Sequence, residues 1–246
     1  MHLKILGSSS KGNCYLIETK TEKLILDAGV NFKIVQQEMN FNFDNLVGVL
    51  ITHEHMDHFR YAKSFAEYGI NVYASKGTFE SQNIQGHRFK IIQALKQFTI
   101  GNFIVLPFDT EHDATEPLGF LIQYIPTGEK ILYATDTYYI KYKFNKLNYL
   151  LLECNYIKEI AKKNEKIGAI NKSLYMRLLE SHFSLENLID FLKANDLTET
   201  RQIVLCHLSD TNADENVMVD TVYNATHINT IAAYPGLNID LSLRPF

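Results

Sequence analysis

Thr52-His53-Glu54-His55-Met56-Asp57-His58 follows directly on the apolar, strand-like run Val47-Gly48-Val49-Leu50-Ile51. Within six residues it carries three imidazoles and the Asp57 carboxylate, side chains that hold zinc and similar divalent ions. In an extended or turning segment alternate side chains point the same way, so His53 and His55 can grip one ion together. Asp57 and His58 lie past the bend and can reach a second ion. Two metals roughly 3.5–4 Å apart share a water and make it a strong nucleophile near neutral pH.

The pattern H-x-H-x-D-H resembles the signature of the metallo-β-lactamase superfamily, which implies further ligands after later strands. His112 in Glu111-His112-Asp113-Ala114 matches the next histidine. Asp136, after Ile131-Leu132-Tyr133-Ala134-Thr135, matches the bridging aspartate, and His207, after Ile203-Val204-Leu205-Cys206, matches the last histidine. Each stands just beyond an apolar run, where a strand end delivers its side chain into a cleft. The resemblance assigns His53, His55 and His112 to one metal and Asp57, His58 and His207 to the other, with Asp136 bridging. Two divalent cations against the two ligand carboxylates leave surplus positive charge, which suits a phosphate oxygen as well as hydroxide.

Other loops narrow the resemblance. Gly7-Ser8-Ser9-Ser10-Lys11-Gly12-Asn13-Cys14, the stretch from His112 to Phe120, Ala134 to Thr137 and Cys206 to Ser209 are similar to the YycJ (WalJ) group. Glu153-Cys154-Asn155-Tyr156 and Ser181-His182-Phe183-Ser184 also match it. The group is regarded as metal-dependent nucleases, with double-stranded DNA exonuclease activity and a mismatch-repair role proposed. The resemblance implies two divalent ions (zinc or manganese, with iron a further option) and a nucleic-acid substrate, DNA first. At 246 residues the chain has no room for the inserted β-CASP domain of RNase J relatives, and it lacks the long arm typical of RNase Z.

The implied fold is α/β (α+β): an αββα sandwich of two packed mixed β-sheets with helices outside, as one domain over 1–246. Periodicity alone gives only mixed α and β. Strands are expected at Leu3–Leu6, Cys14–Glu18, Leu24–Leu26, Ile70–Tyr73, Phe103–Phe108, Phe120–Tyr124 and Ile131–Tyr133. A helix is expected over Phe59–Tyr68, and another after Ser184 as N-cap, with Leu185, Leu188, Ile189 and Leu192 on one face. The apolar fraction of 46%, with 14 Tyr and 15 Phe, is ample for a core. No stretch approaches the ~18–20 apolar residues of a membrane span, and the N-terminus does not read as a signal peptide. Cys14, Cys154 and Cys206 show no paired spacing, so reduced thiols in a cytoplasmic protein are expected. Small core residues are the first reading for them, with Cys206 as a thiolate ligand the lesser alternative.

A net charge of −4 speaks against a dedicated nucleic-acid binder. Its distribution softens that objection. From Lys141 to Arg177 nine Lys or Arg face three Glu, a surplus of six positive charges that leaves the remainder of the chain at −10. This segment can follow a polyanion or be an ordinary solvated helix face. Tyr138, Tyr139, Tyr142, Tyr149, Tyr156 and Tyr175 interleave with it and can stack on bases or pack in the core.

His182 stands outside both metal triads. Close to a helix start, it can bind a scissile phosphate together with the helix N–H groups, or protonate the leaving oxygen. Asp27 is expected to orient a metal histidine rather than bind metal. Ser8, Ser9 and Asn13 are open between a substrate loop and a structural turn, and His2, His87 and His227 match no site pattern. The leading expectation is a phosphodiesterase acting on nucleic acid, in which Asp57 and the metals position and deprotonate the attacking water. The alternative keeps the fold and takes a small phosphodiester, thioester or lactone. A non-catalytic scaffold comes third, against the complete ligand set.

Overall fold

The computed structural model describes residues 1–241. Two compact units emerge, one made of Met1–Asp109, Ala114–Glu129 and the segment from Ala233, the other of Thr110–Asp113 and Lys130–Ala232.

The first unit opens with β1 (His2–Gly7), β2 (Cys14–Glu18) and β3 (Lys23–Leu26), an antiparallel meander. Then α1 (Phe32–Glu38), β4 (Leu46–Leu50), α2 (Met56–Phe59), α3 (Ala62–Glu67), β5 (Val72–Ala74), α4 (Lys76–Ser81) and β6 (Phe89–Ile91) alternate. Here β3, β4, β5 and β6 pair in parallel, because each helical crossover returns the chain to the same end of the sheet. An antiparallel run follows: β7 (Phe98–Ile100), β8 (Phe103–Asp109) and β9 (Leu118–Tyr124).

The second unit carries β10 (Lys130–Ala134), β11 (Tyr149–Glu153), α5 (Lys158–Lys166), α6 (Lys172–Ser181), α7 (Leu185–Ala194), β12 (Gln202–Cys206), α8 (Glu215–Thr226) and β13 (Asn229–Ala232). Its four strands are all parallel, in the order β10-β11-β12-β13. β11 and β12 are buried along their whole length, as expected of parallel strands covered on both faces. The last strand, β14 (Asn238–Asp240), returns to the first unit and pairs with β1. That closes a seven-stranded mixed sheet in the order β14-β1-β2-β3-β4-β5-β6.

The first unit's core gathers Leu16, Ile25, Val49, Ile51, Phe59, Phe65 and Val72, among others, between its sheet and the helices that cross it. Gly29 holds this packing close to the histidine loop. A Cβ there would lie 1.7 Å from the Asp57 carbonyl oxygen, so only glycine lets the two backbones approach.

Two sequence expectations shift. The helix expected over Phe59–Tyr68 is broken into α2 and α3. At the break the Tyr61 N–H donates to the Ala28 carbonyl at 2.9 Å, tying the chain to the loop after β3 instead of continuing the helix. The strand expected at Ile70–Tyr73 lies at Val72–Ala74. Ser184 is the N-cap as expected, its side chain accepting from Asn187 N at 3.1 Å. Leu185, Leu188 and Leu192 are buried on α7, joined by Phe191, while Ile189 is half-buried. Cys14, Cys154 and Cys206 are buried and form no disulfide, and burial pushes the Cys14 and Cys154 thiols well above their ordinary range. Cys206 Sγ sits 3.7 Å from the Val204 carbonyl within its own strand. Among the described residues no helix is long and apolar enough to cross a membrane.

Candidate metal centre

In the first unit, the parallel pairing of β3 with β4 sets Leu26 opposite Leu50, so the residues after both strands emerge side by side. Asp27 takes a left-handed backbone (φ 60°) that a non-glycine residue adopts only when its surroundings hold it there. Its fully buried carboxylate is the hub of the loop. Oδ1 accepts from Thr52 N at 2.8 Å and from Thr52 Oγ1 at 3.0 Å, and Oδ2 meets His58 Nδ1 at 2.7 Å.

These contacts order the protons. A carboxylate only accepts, so His58 Nδ1 carries the hydrogen and Nε2 keeps a lone pair. Thr52 gives its own hydrogen to Asp27 and therefore accepts from His53 Nδ1 at 3.0 Å, which leaves His53 the same tautomer. His53 packs against His55 and His58 with ring centroids 4.7 and 4.3 Å apart. Asp57 Oδ2 lies 3.4 Å from His58 Nε2.

Asn13 is wholly buried beneath this loop. Its N–H donates to the Asp57 carbonyl at 2.7 Å, and its side-chain amide reaches His58 Nε2 at 3.0 Å. Ser8 Oγ is occupied by Tyr15 Oη at 2.9 Å, and the Ser9 carbonyl accepts from Asn13 Nδ2 at 3.1 Å. These contacts tie Ser8, Ser9 and Asn13 into a turn beside the histidine loop. Glu54 turns aside: its Oε1 accepts from both Thr115 N and Thr115 Oγ1 at 2.7 Å. Burial alone would raise its carboxyl, but these bonds hold it below the usual carboxylate range.

In the second unit the register places Ala134 opposite Leu152 and Glu153 opposite Cys206. Asp136, Glu153 and His207 thus emerge at the carboxyl ends of adjacent parallel strands, where open α/β sheets gather ligand-binding groups. Asp136 (φ 49°) and His207 (φ 54°) share the left-handed backbone of Asp27. All three turn sharply off a strand end, and Asn155 Nδ2 donates to the His207 carbonyl at 2.8 Å to hold one of these bends.

His207 Nδ1 lies 2.9 Å from Asp136 Oδ1 and 3.2 Å from Glu153 Oε1. His112 Nδ1 lies 2.9 Å from the Ser181 carbonyl, which can only accept, so its hydrogen too is on Nδ1. His112 Nε2 is 3.8 Å from Asp136 Oδ2. His53, His58, His112 and His207 are thus each held through Nδ1, which turns Nε2 into the atom that could hold a metal, and in His58 that atom meets Asn13 Nδ2. Histidines on a metal are ordinarily oriented in this way. Nitrogen donors mixed with carboxylate oxygens suit zinc, manganese or iron.

His182 caps the C-terminus of α6, and its Nδ1 lies 2.6 Å from Glu153 Oε1. Glu153 Oε2 accepts from Thr137 N at 3.0 Å and Phe183 N at 3.1 Å. Ligand atoms of Asp136, Glu153, His182 and His207 all fall within 4.8 Å of one another. Burial pushes the His182 imidazole down, but the charge and hydrogen bond of Glu153 outweigh it and raise its pKa. Burial would raise the Glu153 carboxyl, and His182 in turn brings it below its ordinary value. Each partner thus favours the charged form of the other, the protonated ring and the ionised carboxylate.

Of the helix N–H groups near His182, Leu185 N donates to the Tyr156 carbonyl at 2.9 Å and Asn187 N to Ser184 Oγ at 3.1 Å, so these two are not open to a phosphate. Glu153 received no role from the sequence. The available signal was a carboxylate closing the otherwise apolar run Tyr149-Leu150-Leu151-Leu152.

The family described as the beta-lactamase superfamily domain matches residues 22–208. The chain is 29% identical to an exodeoxyribonuclease YycJ of Bacillus anthracis over 231 residues, covering 87% of this chain and 85% of that protein. It is 27% identical to an exodeoxyribonuclease WalJ of Streptococcus pneumoniae over 257 aligned positions, covering 97% and 91%. Among solved structures it is similar to the metallo-β-lactamase fold protein YhfI of Bacillus subtilis, with a TM-score of 0.70 and 14% identity over 97% of this chain and 99% of that one.

Proposed function

The chain belongs to the β-lactamase superfamily and has the metallo-β-lactamase fold of two packed mixed β-sheets with helices, and from that premise we propose that it is a metal-dependent phosphodiesterase that cuts DNA as an exonuclease. As a member of this family it is a hydrolase whose fold implies divalent metal ions. His53, His55 and His112 would hold one ion and Asp57, His58 and His207 the other, with Asp136 between them. When bound, the ions supply an activated water and draw off the charge that builds on the phosphoryl oxygens.

The remaining work falls to side chains. Asp27 and Thr52 fix the tautomers of His58 and His53 with Nε2 unprotonated, and Asn13 Nδ2 would have to release His58 Nε2 before that atom binds an ion. Asp57 accepts the proton of the attacking water. Glu153 favours the protonated form of His182, whose Nε2–H would hydrogen-bond a phosphate oxygen and deliver its proton to the leaving alkoxide. The observation that carries the assignment to phosphate esters is this raised, carboxylate-backed imidazole within the Asp136–His207 cluster. A poor leaving group such as a sugar alkoxide needs an acid. The likeness to the two exodeoxyribonucleases, over most of each chain, supports DNA as the polymer. A reduced cytoplasm, where DNA lies and buried thiols stay reduced, is the setting proposed for it.

A substrate panel tests the reading. End-labelled single- and double-stranded DNA, RNA, a cyclic dinucleotide, a lactone and a thioester are each incubated with protein reconstituted in Zn²⁺ or Mn²⁺. DNA is expected to shorten from its ends faster than any other substrate is consumed. Turnover confined to the lactone or thioester would replace the proposal with the small-ester alternative.

A further inference from the structure

The loop between β10 and β11 meets α7 around a cavity of about 320 Å³ that lies wholly within the second unit. Buried Ile140, Phe183 and Phe191 give it an apolar lining. Tyr139, 56% exposed, stands at its edge together with Tyr142, and Lys141 Nζ lies 5.2 Å from the centre of the Tyr142 ring. Lys141 and Lys143 both reach solvent beside the opening.

This loop has no regular secondary structure, yet side chains hold it in place. Phe144 N donates to Asn195 Oδ1 at 2.7 Å, Asn187 Nδ2 to the Tyr138 carbonyl at 3.2 Å, and Thr137 Oγ1 to the Tyr139 carbonyl at 2.8 Å. A ligand therefore meets a formed cavity and need not order the loop first. Its position in the chain ties it to the chemistry. Tyr138 follows Asp136 by two residues, and the lining residue Phe183 directly follows His182.

We propose that this cavity receives a nucleobase of the substrate strand, adjacent to the phosphodiester held at Asp136 and His182. The proposal rests on the nuclease reading above. The volume falls at the small end of ligand pockets, which run from about 300 to 1,000 Å³. A flat heterocycle matches an aromatic and aliphatic lining, and the Asp190 carboxylate in the lining is at hand for its polar edge. Lysines at the opening match the phosphates on either side of that base. Aromatic stacking beside a basic track is how strands are gripped without regard to sequence.

The test compares binding of two phosphorothioate strands of equal length and charge, one carrying thymine throughout and one abasic. The wild-type chain, loaded with Mn²⁺, is expected to bind the thymine strand about 10- to 100-fold more tightly, the range of one stacked base. Tyr139→Ala removes a side chain from the edge, and Ala194→Trp, at an exposed position, blocks the opening. Each should abolish most of that preference while the abasic strand binds as before. Preference retained in both variants would overturn the proposal. A wild-type chain that cuts DNA yet binds both strands equally would overturn it and leave the nuclease reading intact. A chain that binds neither strand would remove the nuclease reading and this inference together.

Discussion

In the proposed mechanism, His182 is the residue at which binding and chemistry separate. Its Nδ1 is committed to Glu153, so the ring's remaining contribution is the Nε2 proton. His182→Ala is expected to leave metal content unchanged and to slow phosphodiester cleavage by roughly 10²–10⁴-fold, the usual effect of one general acid. Glu153→Gln should retain the contact but weaken the charge that keeps the ring protonated, so the activity loss should shrink as the pH is lowered. Loss of metal in His182→Ala would make the ring a ligand, and unchanged turnover would make it structural. The sequence exposed the histidines and aspartates of the motif because several metal-binding side chains stood together or closed apolar runs. It did not expose Glu153, whose meaning depends on His182, 29 positions further along the chain. The left-handed turns at Asp27, Asp136 and His207 were equally invisible, since nothing in an Asp or His announces a positive φ.

Among the elements, α5 bears most directly on substrate. Only Ala161 of this helix is buried, while Lys162, Lys163 and Lys166 all face solvent. Neutralising the three to Gln should weaken DNA binding and lower the salt dependence of the binding constant by up to about three units of log-log slope, roughly 0.9 per lost phosphate contact. Gln is preferred to Glu because negative charge in the last turn of a helix costs about 0.3–1 kcal/mol per residue and would mix stability with binding. An unchanged salt slope would reduce α5 to a solvated face. The strands at Leu3–Leu6, Cys14–Glu18, Leu24–Leu26, Phe103–Phe108, Phe120–Tyr124 and Ile131–Tyr133 were legible because each is a short apolar run, whether its pairing is antiparallel or parallel. The helix over Phe59–Tyr68 was misread because its interruption comes from Ala28, a backbone partner far away in sequence.

For the molecule as a whole, the charge pattern agrees with the proposed substrate despite the total of −4. All nine basic residues from Lys141 to Arg177 lie in the second unit, with His182 and the Asp136–His207 cluster. Arg177 is partly spent within that unit, since its Nε reaches Asp113 Oδ2 at 2.8 Å, so the lysines form the accessible part of the surplus. In the proposed mechanism, metals held by the seven candidate ligands are what make this chain a phosphodiesterase. Titrating metal-stripped protein with Mn²⁺ while following nucleotide release from double-stranded DNA tests it most directly, with Asp136→Ala alongside. Stripped protein should be inert, and activity should rise with added metal and level off at two ions per chain. Asp136→Ala should bind at least one ion fewer and stay nearly inactive. Full cleavage by the stripped protein, or a wild-type chain that takes up no metal, would contradict the account.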